Sequence, residues 1–312
     1  MKLKLLLIAA DTSHFTNNNY DILEKELEKI TKLMIYRQSG HIKKILRKIP
    51  EKPDYILIIN DIGNTFAPLV TGLSNINIPA GLMVNDAHRF VSQRRKFIAN
   101  NGISTFFVIC QHNFYNNYPL LRGKRVFFLP QFANTSIFKD YGSDKTINLM
   151  MLGEISLHHI YPLREKILQH YADHPGFYNR PHPGWRDFTE KQSKNILIGE
   201  NYARTVNQAK LFFACGSVRQ VVTFKYFEVP ACHTLLMAPD LPELHEIGMK
   251  PGKHFVDINE DNFTEKAAYY LKNVSERESI TENGYRFVHN HHSTAHRAKQ
   301  LIRQIKSILS HM

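Results

Sequence analysis

Short apolar runs recur along this chain, each cut off within a few residues by glycine, proline or a polar cluster. Residues 4–9, 33–36, 55–60, 81–84, 105–110 and 126–129 read as strands. Most are apolar throughout rather than alternating, which marks strands covered on both faces. The stretches between them carry helical spacing. Residues 20–32 place Ile22, Leu23, Leu27 and Ile30 on one side, and residues 41–49 form a short basic helix stopped by Pro50 and Pro53. Strands alternating with helices predict a parallel sheet with helices on both faces.

The same pattern begins again after the irregular stretch 130–145. Strands are expected at 147–152, 176–179, 211–214 and 235–238, and helices at 162–171, 201–209, from Glu228 and at 265–271. A last helix, 294–309, carries Ala298, Leu301, Ile302, Ile305 and Ile308 on one side. A chain of 312 residues is long for one core and comfortable for two. The expected fold is therefore α/β, with two Rossmann-like doubly wound domains at 1–142 and 143–295. Helix 296–312 is expected to pack back on the first domain. Open parallel sheets bind ligands beyond their strand C-termini, so a cleft between the two halves is the expected site.

The formal charge of +12 favours an anionic partner. Nucleotide phosphates, an acidic membrane surface and an acidic glycan all qualify. No RNA-binding motif or aromatic platform supports nucleic acid. Basic clusters at Arg94-Arg95-Lys96 and at Lys43, Lys44, Arg47 and Lys48 are candidates for anionic lipid or an acidic acceptor. The three cysteines are far apart and show neither zinc spacing nor a disulfide framework, which fits a reducing cytoplasm. The first apolar run is short and reads as a buried strand rather than a signal peptide. No run reaches the roughly 18 apolar residues of a membrane span, so any membrane contact is expected to be peripheral, at its inner face.

The most informative local stretch is 225–248. It sets Lys225 and Glu228 where a helix should begin. A helix N-terminus offers free N–H groups and partial positive charge to an anion. A carboxylate there does not favour phosphate but accepts hydrogen bonds from sugar hydroxyls. Together they suggest a nucleotide-sugar site.

Four pieces carry a family likeness. They are Leu149-Met-Met-Leu-Gly-Glu154 followed by Arg164, Pro183-Gly-Trp185, Lys225-Tyr-Phe-Glu-Val-Pro-Ala-Cys232, and Gly284-Tyr-Arg-Phe-Val-His-Asn-His-His-Ser-Thr-Ala-His-Arg297. The chain resembles GT-B glycosyltransferases, in particular group-1 enzymes similar to spore maturation proteins. The third piece is similar to that family's Arg-x-Phe-Glu-x-x-Ala-Cys segment. The likeness implies a nucleotide-sugar donor held mainly by the C-terminal domain, with no required metal or other cofactor. By it, Glu228 would bind the donor ribose or sugar, Lys225 would meet the diphosphate, and Phe227 belongs to the same segment. The chain departs from the wider superfamily at Gln220, where a first glutamate is common, and at His233, where glycine is common.

Further donor-side candidates are Gly153 and Glu154 at a strand end, Arg180 and His182 in a proline-fixed turn, Tyr202 beside Glu200 at a strand-to-helix junction, and Arg219. His-Pro pairs also occur in sialyltransferase-like GT-B enzymes, which keeps CMP-activated sugars open. On the acceptor side Asp11, Ser13 and His14 follow the first strand. Asp86 and His88 follow the fourth and are candidates to take the acceptor's proton; Asp86 capping the next helix is the plainer alternative. The adjacent pairs His158-His159 and His291-His292 point apart and are not expected to bind metal. The expected activity is sugar transfer from a nucleotide-activated donor to a glycan, lipid-linked or surface-polymer acceptor. A nucleotide-sugar epimerase and a catalytically inactive nucleotide-sugar-binding protein remain as alternatives.

Overall fold

The computed structural model describes residues 2–154, 159–193 and 195–311. The chain divides into two compact units. The first comprises Met1–His14, Asn18–Pro130 and Ala295–Met312, and the second Phe15–Asn17 and Gln131–Thr294.

The first unit is built on β1 (Lys4–Ala9), α1 (Asn19–Ile30), β2 (Lys32–Tyr36), β3 (Gly40–His41), α2 (Ile42–Leu46), β4 (Tyr55–Ile59), β5 (Asp61–Ile62), β6 (Thr65–Phe66), β7 (Val70–Thr71), β8 (Ala80–Val84), α3 (Val91–Asn101), β9 (Thr105–Val108), α4 (Gln111–Asn117) and β10 (Arg125–Phe128). Six strands form one parallel sheet in the order β10-β9-β8-β4-β1-β2. The chain leaves β1 for β2 on one side and then returns to β4 on the other. That reversal puts a topological switch point between β1 and β4, where doubly wound folds bind their ligands. Asp11–His14 follow β1, and Asn60 and the first residue of β5, Asp61, follow β4. The four remaining short strands pair among themselves, β3 with β7 and β5 with β6.

The second unit comprises β11 (Ile147–Gly153), α5 (Pro162–Tyr171), β12 (Phe177–Pro181), α6 (Glu190–Ser193), α7 (Gly199–Asn207), β13 (Ala209–Phe213), α8 (Lys225–Ala231), β14 (Leu235–Ala238), α9 (Pro242–Glu246), β15 (Val256–Asp257), α10 (Phe263–Lys272) and α11 (Val274–His291). Its parallel sheet runs β12-β11-β13-β14-β15. The unbroken apolar strands serve two cores at once. Met150, Leu152, Phe212 and Leu236 enter one cluster, while Leu149, Met151, Phe213 and Met237 enter another. A strand with helices on both faces needs apolar residues at every position. The last helix, α12 (Thr294–Ser310), falls almost wholly within the first unit.

Several expectations shift. The division falls at Pro130–Gln131 rather than near 142, because Ala133 and Phe138 are buried in a core of the second unit and Ile137 and Tyr141 pack against it. Helix α11 has no counterpart in the sequence reading. Its buried stripe is Ile280, Gly284 and Val288, with a glycine at the centre. A Cβ at Gly284 would lie 2.5 Å from the backbone oxygen of His254, so only glycine lets the helix approach that closely. Helix α8 begins at Lys225, which places Glu228 inside its first turn rather than at its start. Helix α7 follows a turn at 195–198, so Tyr202 does not stand at a strand-to-helix junction.

Candidate functional site

In the second unit the carboxyl ends of β11, β12 and β13 meet the start of α8. Strand β11 ends at Gly153 with φ of 129°, a conformation that L side chains rarely adopt. The carbonyl of Gly153 accepts a hydrogen bond from the backbone N–H of His182 at 3.1 Å. A Cβ at Gly153 would lie 3.1 Å from Lys225 Nζ and 3.3 Å from Arg164 Nη1. The glycine thus leaves room for two cations at the strand end.

Arg164, quoted in the sequence only as part of the family likeness and given no role there, joins the candidate site. It lies in the first turn of α5 among the buried positions Leu163, Ile167 and Tyr171, and is itself buried. Its guanidinium lies 4.2 Å from the centre of the Tyr161 ring and donates to the carbonyl of Glu154 at 2.8 Å. An arginine on the apolar side of an amphipathic helix was the available signal, since arginine is rarely buried without a partner.

Lys225 is half-buried. Burial and the neighbouring Arg164 push its ammonium down to about 8, against the pull of Glu228. The same surroundings act on His182. Burial first, and then Lys225, lower it to about 4, so its ring is neutral at physiological pH. Its Nδ1 accepts from the backbone N–H of Gly184 at 3.1 Å, and its ring lies 4.5 Å from that of Trp185. Glu228 is buried and its carboxylate acts on Lys225, as that of Glu154 acts on His182. Tyr202 sits nearby. Its hydroxyl is raised well above the usual tyrosine range, by burial and then by Glu228. That hydroxyl is buried with no hydrogen-bond partner among the described residues.

Gly153, Glu154, His182, Tyr202, Lys225 and Glu228 therefore come together, with Arg164 added. The other donor-side candidates are Phe227, Arg180 and Arg219. Phe227 is fully buried in the hydrophobic core against His292, so its side chain has no surface to offer a donor. Arg180 is exposed on the edge strand β12, with its guanidinium 4.8 Å over the Tyr178 ring. Arg219 lies in the tight turn 217–220, where Ser217 and Gln220 both take positive φ, 64° and 54°. His233 takes φ of 52° directly after the C-cap of α8, the usual place for glycine. His159 is exposed, and His158 lies outside the described residues.

In the first unit the loop 85–89 is held from beneath by a buried ion pair. Asp61 Oδ2 lies 2.5 Å from Arg94 Nη2 and accepts from the N–H groups of Asn85 and Asp86 at 3.0 and 3.1 Å. Arg94 also donates to the carbonyl of Arg89 at 2.8 Å and to the Tyr118 hydroxyl at 2.7 Å. Burial pushes the Asp61 carboxyl up to about 6, opposed first by Arg94. Arg94 is wholly buried, which removes it from the lipid-facing cluster expected at 94–96. Asp86 and His88 are both half-buried on this loop, and an Arg89 nitrogen lies 3.9 Å from the Asp86 carboxylate. Helix α3 is capped at Phe90 and has no side-chain cap, so Asp86 does not cap it. Asp11 uses its carboxylate to accept from Ser13 N–H at 2.9 Å, and that bond is the main reason its carboxyl titrates low. His14 is exposed.

Residues 163–303 match the family described as Glycosyl transferase-like. The match spans the Arg164, His182, Tyr202, Lys225 and Glu228 cluster. Among solved structures, sucrose-phosphate synthase from Thermosynechococcus elongatus superposes with a TM-score of 0.66 at 9% identity, covering 99% of this chain and 100% of that one. Anabaena HepE in complex with UDP-glucose superposes at 0.61 and 8% identity, covering 97% and 100%. TarM superposes at 0.55 and 12% identity, covering 80% of this chain; the shared part spans 54% of TarM's length. A comparison with curated protein sequences finds no match. The chain has the GT-B fold, and its residues 163–303 resemble the glycosyl transferase-like family.

Proposed function

We propose that this protein is a glycosyltransferase that moves a sugar from a nucleotide-activated donor to a glycan, lipid-linked or surface-polymer acceptor. The observation that carries this reading is the pair of cations, Arg164 and Lys225, set against Gly153 with Glu228 beside them. Two like charges held together away from water are costly, and an anionic ligand offsets that cost. A nucleoside diphosphate supplies the charge, and Glu228 and the Tyr202 hydroxyl supply acceptor and donor for ribose or sugar hydroxyls. As the glycosidic bond breaks, negative charge builds on the departing phosphate oxygen. Positively charged groups fixed in advance at that point stabilise the transition state. In this reading no metal is required, the transferred unit is a hexose or related sugar, and His182 acts as a neutral hydrogen-bonding group. Asp86, with His88 as its rival, would take the proton of the acceptor hydroxyl. A lipid-linked acceptor would draw the enzyme to the inner face of a membrane. Because HepE is solved with UDP-glucose, UDP is the first nucleotide to test.

A thermal-shift series with UDP, GDP, CMP and dTDP, with and without a chelator, tests the site. One nucleotide should raise the melting temperature as its concentration passes its Kd, and the shift should persist with the chelator. Donor turnover is then followed with that nucleotide's sugars. Isomerised sugar in the absence of acceptor would instead indicate an epimerase, and binding without any turnover an inactive binding protein.

A further inference from the structure

From Ala87 to Lys139 the chain contains no aspartate or glutamate, and it carries eight lysines and arginines there. Arg94 sits in its buried ion pair, and Arg89 is half-buried and hydrogen-bonds Gly63 and Asn64. Lys139 lies in the second unit. The other five, Arg95, Lys96, Arg122, Lys124 and Arg125, are exposed on the first unit. Arg95, Arg122, Lys124 and Arg125 lie on or beside one turn at the edge of the sheet, and Lys96 follows Arg95 on α3. Arg95, on α3, donates to the carbonyl of Asn117 at the end of α4 (2.6 Å), and Arg122 lies 5.1 Å over the ring of Tyr115. Lys124 N–H closes back on Leu121 O at 3.1 Å, and Arg125 opens the edge strand β10. At the tip of this turn is Leu120, 93% exposed. The turn is fixed rather than loose. Tyr118, one residue before Pro119, is buried, and its hydroxyl accepts from Arg94.

One exposed leucine is unremarkable on a soluble protein, and so is one basic cluster. Their coincidence on a fixed turn, with no acidic residue in the same stretch of chain, is the combination that a negatively charged, apolar-cored surface selects. We propose that this edge of the first unit docks on an anionic lipid bilayer. Leu120 enters among the headgroups, and Arg95, Lys96, Arg122, Lys124 and Arg125 face the lipid phosphates. The basic face of α2, where Lys43 and Lys44 are exposed, presents no comparable apolar tip, since Ile42 and Ile45 are buried. This inference does not depend on the transferase reading.

The test is co-sedimentation of the full chain with phosphatidylcholine vesicles, plain or containing about one-third phosphatidylglycerol, at low and raised salt. Binding is expected to the anionic vesicles only and to weaken with salt. Arg122→Gln with Lys124→Gln should weaken it roughly 25-fold, taking about fivefold per cation. Leu120→Ser should weaken it by about tenfold, while Lys43→Gln with Lys44→Gln should leave it unchanged. Unaltered thermal unfolding shows that each variant is folded. The proposal is overturned by equal binding to neutral vesicles, by no binding at all, or by variants that bind like the parent. It is also overturned if a single-stranded oligonucleotide binds more tightly and displaces the vesicles, or if the α2 variant loses as much affinity as the Arg122 and Lys124 variant.

Discussion

Replacing Lys225 with methionine should move binding and stability in opposite directions. Methionine keeps most of the side-chain volume and removes the charge. In the folded protein the lysine is lowered from 10.5 to about 8. That fall corresponds to at most about 3 kcal/mol of disfavour for the ammonium, which the neutral variant escapes. The variant should therefore melt at the same temperature or a few degrees higher. A charge-assisted hydrogen bond to the diphosphate is lost at the same time, so UDP affinity should fall by about 10- to 100-fold. The pH dependence follows with a definite sign. Because the folded pKa lies below the unfolded one, the native state binds fewer protons between about pH 8 and 10.5, and stability contributed by this group rises with pH across that window. Affinity for the anion runs the other way. It should weaken about fivefold from pH 8 to 9 as the ammonium is lost, and the bound state should take up part of a proton. Isothermal titration calorimetry in buffers of different ionisation heat measures both the affinity and the uptake. Unchanged UDP affinity in Lys225→Met, or the same pH slope in parent and variant, would refute the assignment of Lys225 to the phosphates.

Gly153→Ala forces a left-handed conformation costing about 1–3 kcal/mol and drives a methyl against Lys225 and Arg164, so melting temperature and UDP affinity should fall together; an intact variant would mean that the strand end is not a close-approach site. Glu228→Ala should weaken donor binding or turnover about 10-fold or more, as a charged hydrogen-bond acceptor is lost, and unaltered donor kinetics in the folded variant would remove Glu228 from the site. Asp61→Asn leaves Arg94 buried without its counterion and should cost about 3–5 kcal/mol, read by urea denaturation; a loss below 1 kcal/mol would show that the pair does not hold the 85–89 loop. Asp86→Asn should lower kcat on transfer while leaving UDP affinity unchanged, and full activity would exclude it as the base.

Where both faces of a strand are covered, the sequence has little freedom, and these elements were legible. The expected strand at 235–238 coincides with β14, and those at 105–110 and 147–152 overlap β9 and β11. Helix α11 escaped because its stripe is broken at its centre by Gly284, the residue that lets it pack against backbone. The boundary at 142 was placed on turn-forming composition. Turn formers report where the chain bends, whereas burial of Ala133 and Phe138 decides which core a segment joins.

The candidate site was legible in part for a similar reason. Lys225, Glu228, His182 and Gly153 stand out because each is conspicuous where it occurs in the chain: a charge at a helix start, a histidine between prolines, a glycine closing a strand. Arg164, apart from the family likeness it helps to carry, and Arg94 are conspicuous only in three dimensions. In the sequence one is a charge in a helix and the other the first member of a basic triplet. Folding buries both, yet with different consequences. Arg94 meets Asp61 at 2.5 Å and four further acceptors, so its charge is spent on holding a loop. Arg164 meets backbone carbonyls and a tyrosine ring, with a second cation, Lys225, at its side. A buried charge that is fully paired builds structure; one left in excess beside another is a site for an anion. By that criterion the second unit's strand ends, rather than the first unit's, are where the proposed donor phosphates should be sought.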